Sequence, residues 1–200
     1  MKKTNFFSQS EYIGLSLCNV IAVTGPMAAG KNFVCASLEK VGFISVDADE
    51  VAHEAIDRAS EEIFSTFNEY ADARGISLKN DDGSLNRRAL GSIVFSDKDL
   101  LAKQEAIVYP VITEMINDFI DNHKDKKIII NATVLYKIPE IMDKCQVILF
   151  VTAPAITRFV RAKKRDNLPF KQIINRFLNQ KNLLEEYRKT GKEIIIVNNR

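Results

Sequence analysis

Three groups of residues in this sequence are spaced for chemistry on phosphates. The first is Gly25-Pro-Met-Ala-Ala-Gly30-Lys31. It follows the G-x-x-x-x-G-K pattern of a phosphate-binding loop, in which backbone N–H groups turn toward phosphate oxygens. Gly25 and Gly30 permit backbone conformations and close approaches that a side chain would obstruct. A helix opening near Lys31 adds its positive end, and Lys31 supplies a mobile point charge for the outer phosphates. Asn32 stands where the pattern has a Ser or Thr whose hydroxyl helps bind magnesium; its amide oxygen is a substitute of the same hard type.

The second group is Asp47-Ala48-Asp49, directly after an apolar run. Residues two apart in an extended segment share a side, so both carboxylates are expected to face one space. There a carboxylate takes a proton from an attacking hydroxyl. The alternative is that Asp49 caps a helix over Glu50–Arg58. The third group is Arg158, Arg161 and Arg165, which recur at helical spacing on one face, with Lys163 and Lys164 beside them. Over a bound triphosphate such a face clamps the transferring group and stabilises its charge. Without such a ligand it is a solvated basic helix.

Five β-type runs position these groups: Val20–Thr24, Phe43–Asp47, Lys127–Asn131, Gln146–Val151 and Glu193–Asn198. Ile128-Ile-Ile, Val147-Ile-Leu-Phe-Val and Ile194-Ile-Ile-Val lack polar alternation, the signature of strands buried on both faces of a parallel sheet. Helical segments separate the runs, among them Phe33–Lys40, which predicts a three-layer α/β sandwich with a parallel five-stranded sheet. The interval from Val51 to His123 reads as helices broken at Arg74-Gly75, at Asn80-Asp-Asp-Gly83 and before Pro110. An insertion of that length is expected to build part of a ligand site, to complete a core, or both.

Bulk properties narrow the classes. The chain has 200 residues, 46% apolar, enough for one domain with insertions. A net charge of +2 gives no general nucleic-acid or membrane affinity, and the single local basic cluster has no aromatic stacking motif with it. Cys18, Cys35 and Cys145 are far apart and odd in number, as expected of reduced thiols serving as small core residues. Two histidines exclude a histidine-rich metal site. Met1-Lys2-Lys3 and the apolar residues up to Cys18 loosely resemble a secretory signal, but Gln9, Ser10 and Glu11 interrupt them and Leu17 is bulky before the would-be cleavage point. Residues 1–18 therefore read as a short extension of a cytoplasmic protein with no membrane span.

Taken in order, several segments resemble the dephospho-CoA kinase family of P-loop kinases. They are the Gly25–Lys31 loop, Val46-Asp-Ala-Asp49-Glu-Val-Ala-His53, and Asp82-Gly83-Ser-Leu-Asn-Arg87-Arg88-Ala-Leu-Gly-Ser-Ile-Val-Phe95. Tyr109-Pro110 stands at the family's His-Pro, Arg161, Arg165 and Gln180 follow a lid pattern, and Val197-Asn198-Asn199 resembles the final strand's ending. The likeness spans residues 19–200. It implies a P-loop NTPase sandwich, with helices over 54–122 binding the CoA moiety and a lid over 153–180. It also implies ATP and Mg2+ as cofactors and phosphorylation of the 3′-hydroxyl of dephospho-CoA, the last step of CoA synthesis. By the same likeness Asp49 is the general base, with Lys31, Arg161 and Arg165 also catalytic. Gly25, Ala28, Ala29, Gly30, Lys31, Asn32, Phe33 and Asn198 meet ATP; Asp49, His53, Arg87 and Tyr109 meet the acceptor; Asn32 meets the metal.

Departures from the pattern fall at chemically important positions. Besides Asn32 and Tyr109, the segment Asn131-Ala-Thr133-Val-Leu-Tyr-Lys137 stands where the family often has Asp-x-Pro-Leu-Leu-x-Glu, and the chain stops at Arg200 where relatives usually add a helix. Fewer anions near the site weaken magnesium binding. Two alternatives therefore stay open: a member that binds nucleotide or CoA species without efficient transfer, and a kinase for another small acceptor.

Overall fold

The computed structural model describes residues 6–166 and 169–199. Of the expected segments, residues 1–5 of the extension, 167–168 of the lid and Arg200 lie outside the described residues. The described chain divides into two compact units, 1–47 with 119–200 and 48–118.

The first unit is built on a parallel sheet. Its strands are β1 (Val20–Thr24), β2 (Phe43–Asp47), β3 (Lys127–Asn131), β4 (Val147–Thr152) and β5 (Ile194–Asn198), in the order β2-β3-β1-β4-β5. The register pairs Ala22 with Ile130 and Ile148, and Asp47 with Asn131. β1 is central and buried throughout, which accounts for its uninterrupted apolar run. Since β1 has β3 on one side and β4 on the other, the loop leaving β1 opens over the switch point of the sheet, where ligands bind in such folds.

Helices α1 (Gln9–Ser16) and α2 (Lys31–Glu39) cover one face. Phe7, Leu15, Val34 and Leu38 pack there against Ile21, Val23, Ile129, Leu149 and Val197. The expected extension is thus partly core. A capping box starts α1: Glu11 N–H donates to Ser8 Oγ, and Ser8 N–H donates to the Glu11 carboxylate at 2.7 Å. Phe150 points to the opposite face, where its ring meets Tyr187 at 6.3 Å.

The second unit is helical: α3 (Ala48–Arg58), α4 (Ser60–Asp72), α5 (Arg87–Val94) and most of α6 (Lys98–Asn122). It has no strand; an isolated bridge between Lys79 and Leu85 closes the Asn80–Gly83 turn. Two expectations change here. α6 runs through Pro110 rather than stopping before it. Pro110 lies on the exposed side, while Val108, Ile112 and Ile116 keep one face of the helix buried, so packing offsets the missing N–H bond. The helix expected from Glu50 begins at Ala48, placing Asp49 inside its first turn instead of at a cap. Asp47 ends a strand and Asp49 is helical, so the two do not share an extended segment.

The rest of the first unit follows the 3-10 turn Leu135–Lys137: α7 (Pro139–Lys144), α8 (Ala155–Asp166), α9 (Phe170–Asn179) and α10 (Leu183–Arg188). Among the described residues, no helix is long and apolar enough to cross a membrane.

Candidate active site

The loop between β1 and α2 takes its shape from three backbone positions. Gly25 has φ +144°, and a Cβ there would stand 2.1 Å from the Val151 carbonyl oxygen of β4. Backbone blocks that position, so only glycine fits. Gly30 has φ +99°, and a Cβ there would meet Asn199 Nδ2 at 1.9 Å. Between them Ala28 holds φ +60°, a left-handed conformation costly for a residue with a Cβ.

Side chains from distant segments brace this loop. Gln180 Oε1 accepts from Met27 N–H at 2.7 Å, and Arg158 Nε donates to the Met27 carbonyl at 2.9 Å. Asn199 Nδ2 donates to the Ala29 carbonyl at 2.8 Å, and Arg161 Nη1 to the same oxygen at 3.4 Å. The Arg158 guanidinium also lies 4.2 Å from the Phe177 ring centre, and partial burial lowers its pKa. Arg158 is therefore a strut of the loop more than a ligand-facing cation. Asn198, expected at the nucleotide, is exposed at the end of β5; its neighbour Asn199 is the one that reaches the loop.

Ala28, Gly30, Lys31, Asn32, Arg161, Lys164 and Arg165 line a cavity of about 560 Å³. Most of the residues expected at the phosphates are thus brought together, and Lys164 joins them. Four cations around one cavity whose floor is a glycine loop and a helix start make a receptor for a polyanion. Lys31 Nζ donates to Thr133 Oγ1 at 3.0 Å and to the Gly25 carbonyl at 3.4 Å. Thr133 is in turn fixed by Tyr187, whose hydroxyl donates to the Thr133 carbonyl at 3.1 Å and accepts from Leu135 N–H at 2.9 Å. Burial pushes the Tyr187 phenol well above its usual range, so it stays a neutral donor.

Next to Lys31, three polar side chains converge. Asn131 Nδ2 donates to Asn32 Oδ1 at 3.0 Å and to Asp47 Oδ2 at 2.9 Å. Asn131 is 5% exposed, and its Oδ1 is buried without a hydrogen-bond partner. No group of three or more His, Cys, Asp or Glu able to hold a metal occurs among the described residues. A cation here would take the Asp47 carboxylate and the Asn32 amide oxygen from the protein. That suits Mg2+, which keeps waters and substrate phosphates as its remaining ligands.

The other expected site residues belong to the helical unit. Asp49 and His53 are exposed four apart on α3 and so share a face. Arg87 pairs with Asp57 at 3.5 Å and, with Ser60, Asn80, Ser84 and Asn86, lines a polar cavity of about 330 Å³. Tyr109 is half-buried on α6. Sequence reasoning missed Tyr187 as part of the site; it noted Asn131 only as a departure from the family's acid, and gave Thr133 and Asn199 no role in bracing Lys31 and the loop.

A parallel sheet in this strand order, with a glycine loop and invading lysine after its central strand and arginines over the same cavity, defines a P-loop kinase. A family model described as dephospho-CoA kinase matches residues 19–200. The chain belongs to the dephospho-CoA kinase family, enzymes that transfer phosphate to the 3′-hydroxyl of dephospho-CoA in the last step of CoA synthesis. It is 38% identical to the dephospho-CoA kinase of Treponema denticola over 184 residues, covering 90% of this chain and 82% of that one. It is 35% identical to the enzyme of Treponema pallidum, covering 82% and 79%. A solved Thermus thermophilus structure shares the fold with a TM-score of 0.76 at 24% identity, covering 92% of this chain and 89% of that one. The Campylobacter jejuni dephospho-CoA kinase does so with a TM-score of 0.66 at 22% identity, covering 91% and 89%.

Proposed function

We propose that this chain transfers the γ-phosphoryl group of ATP in line to the 3′-hydroxyl of dephospho-CoA, with Mg2+ held at the phosphates. The observation that carries the reading is the cavity in which the loop, Lys31, Arg161 and Arg165 meet. Gly25 and residues 28–33 cradle the phosphates, and Lys31 neutralises the outer ones. Arg161 and Arg165 stabilise charge that develops in the transition state. Asn32 Oδ1 and the Asp47 carboxylate would hold the metal, which would supply charge neutralisation at the phosphates. Asp49 orients the acceptor hydroxyl and takes its proton; this assignment rests on the family motif and on the exposure of Asp49 at the start of α3. His53, Arg87 and Tyr109 contact the acceptor by the same family likeness.

The test is ADP release with ATP and Mg2+, with and without dephospho-CoA. Dephospho-CoA-dependent turnover that Lys31→Ala abolishes supports the reading. Asp49→Asn should lower turnover by roughly 10²-fold or more while leaving ATP affinity within about twofold, as expected of a general base. Small, equal effects on both would remove Asp49 from that role. The amides at Asn32 and Asn131 favour a second reading, binding of nucleotide or CoA species without efficient transfer. A folded protein that binds ATP but shows no turnover, even as Asn32→Ser, would select it.

A further inference from the structure

Asn131 ends β3, with Asp47 of β2 as its ladder partner on one side and Val23 of β1 on the other. It therefore sits at the carboxyl edge between an aspartate and the strand that carries the phosphate loop. Its amide nitrogen spends both protons on the site: one on Asn32 Oδ1 at 3.0 Å, the other on Asp47 Oδ2 at 2.9 Å. Two oxygens, one of them a carboxylate, thus converge on a single partly positive nitrogen. That is the arrangement a hard cation would take, with a proton pair standing in for it. The amide's own oxygen is turned away and buried without a partner, a state that polar groups normally avoid.

We propose that the Asn131 amide is a two-position switch competing with a divalent cation for the oxygens of Asn32 and Asp47. In the metal-free state the nitrogen faces inward. Half a turn of the amide plane exchanges nitrogen and oxygen, so that Asn131 Oδ1 joins Asn32 Oδ1 and Asp47 Oδ2. Three oxygens with no proton among them repel one another, and only a cation makes that position favourable. Cation binding then gives Oδ1 a partner, but it must break two hydrogen bonds and turn the NH2 group into the buried position where Oδ1 had none. A neutral, built-in competitor therefore lowers metal affinity without involving the loop lysine or the arginines. The inference rests on the kinase reading only in taking the cation to be the one that accompanies ATP.

The test is direct binding of Mn2+ and Mg2+ to the protein with no nucleotide or acceptor. Asn131→Asp has no N–H to compete and adds a charged oxygen. It is expected to bind Mn2+ roughly ten- to a hundredfold tighter than the parent by electron paramagnetic resonance. Its metal-free melting point should fall, since two carboxylates then face each other, and Mg2+ should restore it. Equal Mn2+ affinity of parent and variant overturns the switch. If the variant does not fold, the parent still decides the matter. The Asn131 side-chain NH2 protons should exchange slowly without metal and faster at saturating Mg2+; unchanged protection at saturation overturns the proposal. Dephospho-CoA turnover is measured separately, so the two readings fail separately. Faster exchange of the Asn131 NH2 protons at saturating Mg2+ in a chain without turnover supports the switch and sinks only the kinase reading. Turnover with equal affinities does the reverse.

Discussion

Tyr187→Phe isolates one hydroxyl that links the core to the phosphate loop. The ring is fully buried, with Tyr136 at 5.3 Å and Phe150 at 6.3 Å, and phenylalanine keeps both contacts. What is lost is the acceptor for Leu135 N–H and a donor to the Thr133 carbonyl. That carbonyl retains Thr24 Oγ1 at 3.2 Å, so the orphan is chiefly the buried Leu135 N–H. An unsatisfied buried donor costs about 1–3 kcal/mol. At about 2 kcal/mol, a chain of this size should lose about 4–8 °C of melting temperature. The activity effect is separate. Thr133 Oγ1 holds Lys31 Nζ, so loosening the Thr133 segment should lower kcat/KM for ATP by roughly tenfold, short of the hundredfold that a full 1 Å misplacement can cost. The assay pairs thermal melts with ADP-release kinetics on Tyr187→Phe, Thr133→Ala and the double variant. If Tyr187 acts through Thr133, its kinetic effect vanishes in the Thr133→Ala background while its stability effect remains. An undiminished kinetic effect there, or a stability loss with unchanged kinetics, would refute the link.

Gly30→Ala should cost about 1–2 kcal/mol from the positive φ alone, and more by pushing Asn199 off the Ala29 carbonyl. ATP affinity measured by calorimetry should fall with it and recover in part when Asn199→Gly is added; no recovery would show that backbone strain alone is responsible. Alkaline stability should follow the buried thiols. Burial pushes Cys35 and Cys145 from 9.0 up to about 12, so the folded chain holds these protons longer than the unfolded one. Their contribution is therefore complete below pH 9.0 and is lost as pH rises toward about 12, with Tyr187 acting in the same direction. Melting temperature should fall across that window, and less steeply in Cys35→Ala/Cys145→Ala; identical slopes would show that other groups set the alkaline limb.

The sheet and the loop were legible because each is written in adjacent residues. A run such as Ile128-Ile-Ile, between Lys127 and Asn131, has few fates other than a strand buried on both faces, and all five expected strands lie within one residue of their observed bounds. The same holds for Gly25 and Gly30, where the motif states a backbone requirement that the φ angles meet. Periodicity failed where packing overrode it. Leu15 of α1 is buried while Ile13, and Leu17 just past the helix end, are exposed, so these three trace no stripe and read as a tail. Asp47 and Asp49 were paired on an extended spacing, yet the helix opens at Ala48 and separates them.

The braces of the site lie beyond any local pattern. Asn32, Asp47 and Asn131 are brought together only because the order β2-β3-β1 sets three strand ends side by side, and Asn199 meets Ala29 only because β5 closes the far edge. Asp47, Asn131 and Asn199 lie at strand ends and Asn32 lies in the first turn of α2, so nothing in the local sequence states that they meet. What separates Asn131 from an ordinary polar residue at a strand end is burial combined with a donor pair that is fully used and an acceptor that is not. That imbalance exists only after folding. It also explains why an amide at this position differs from an acid by more than charge: the amide brings two N–H donors into a cluster of oxygens, and a cation must break those hydrogen bonds before it can bind.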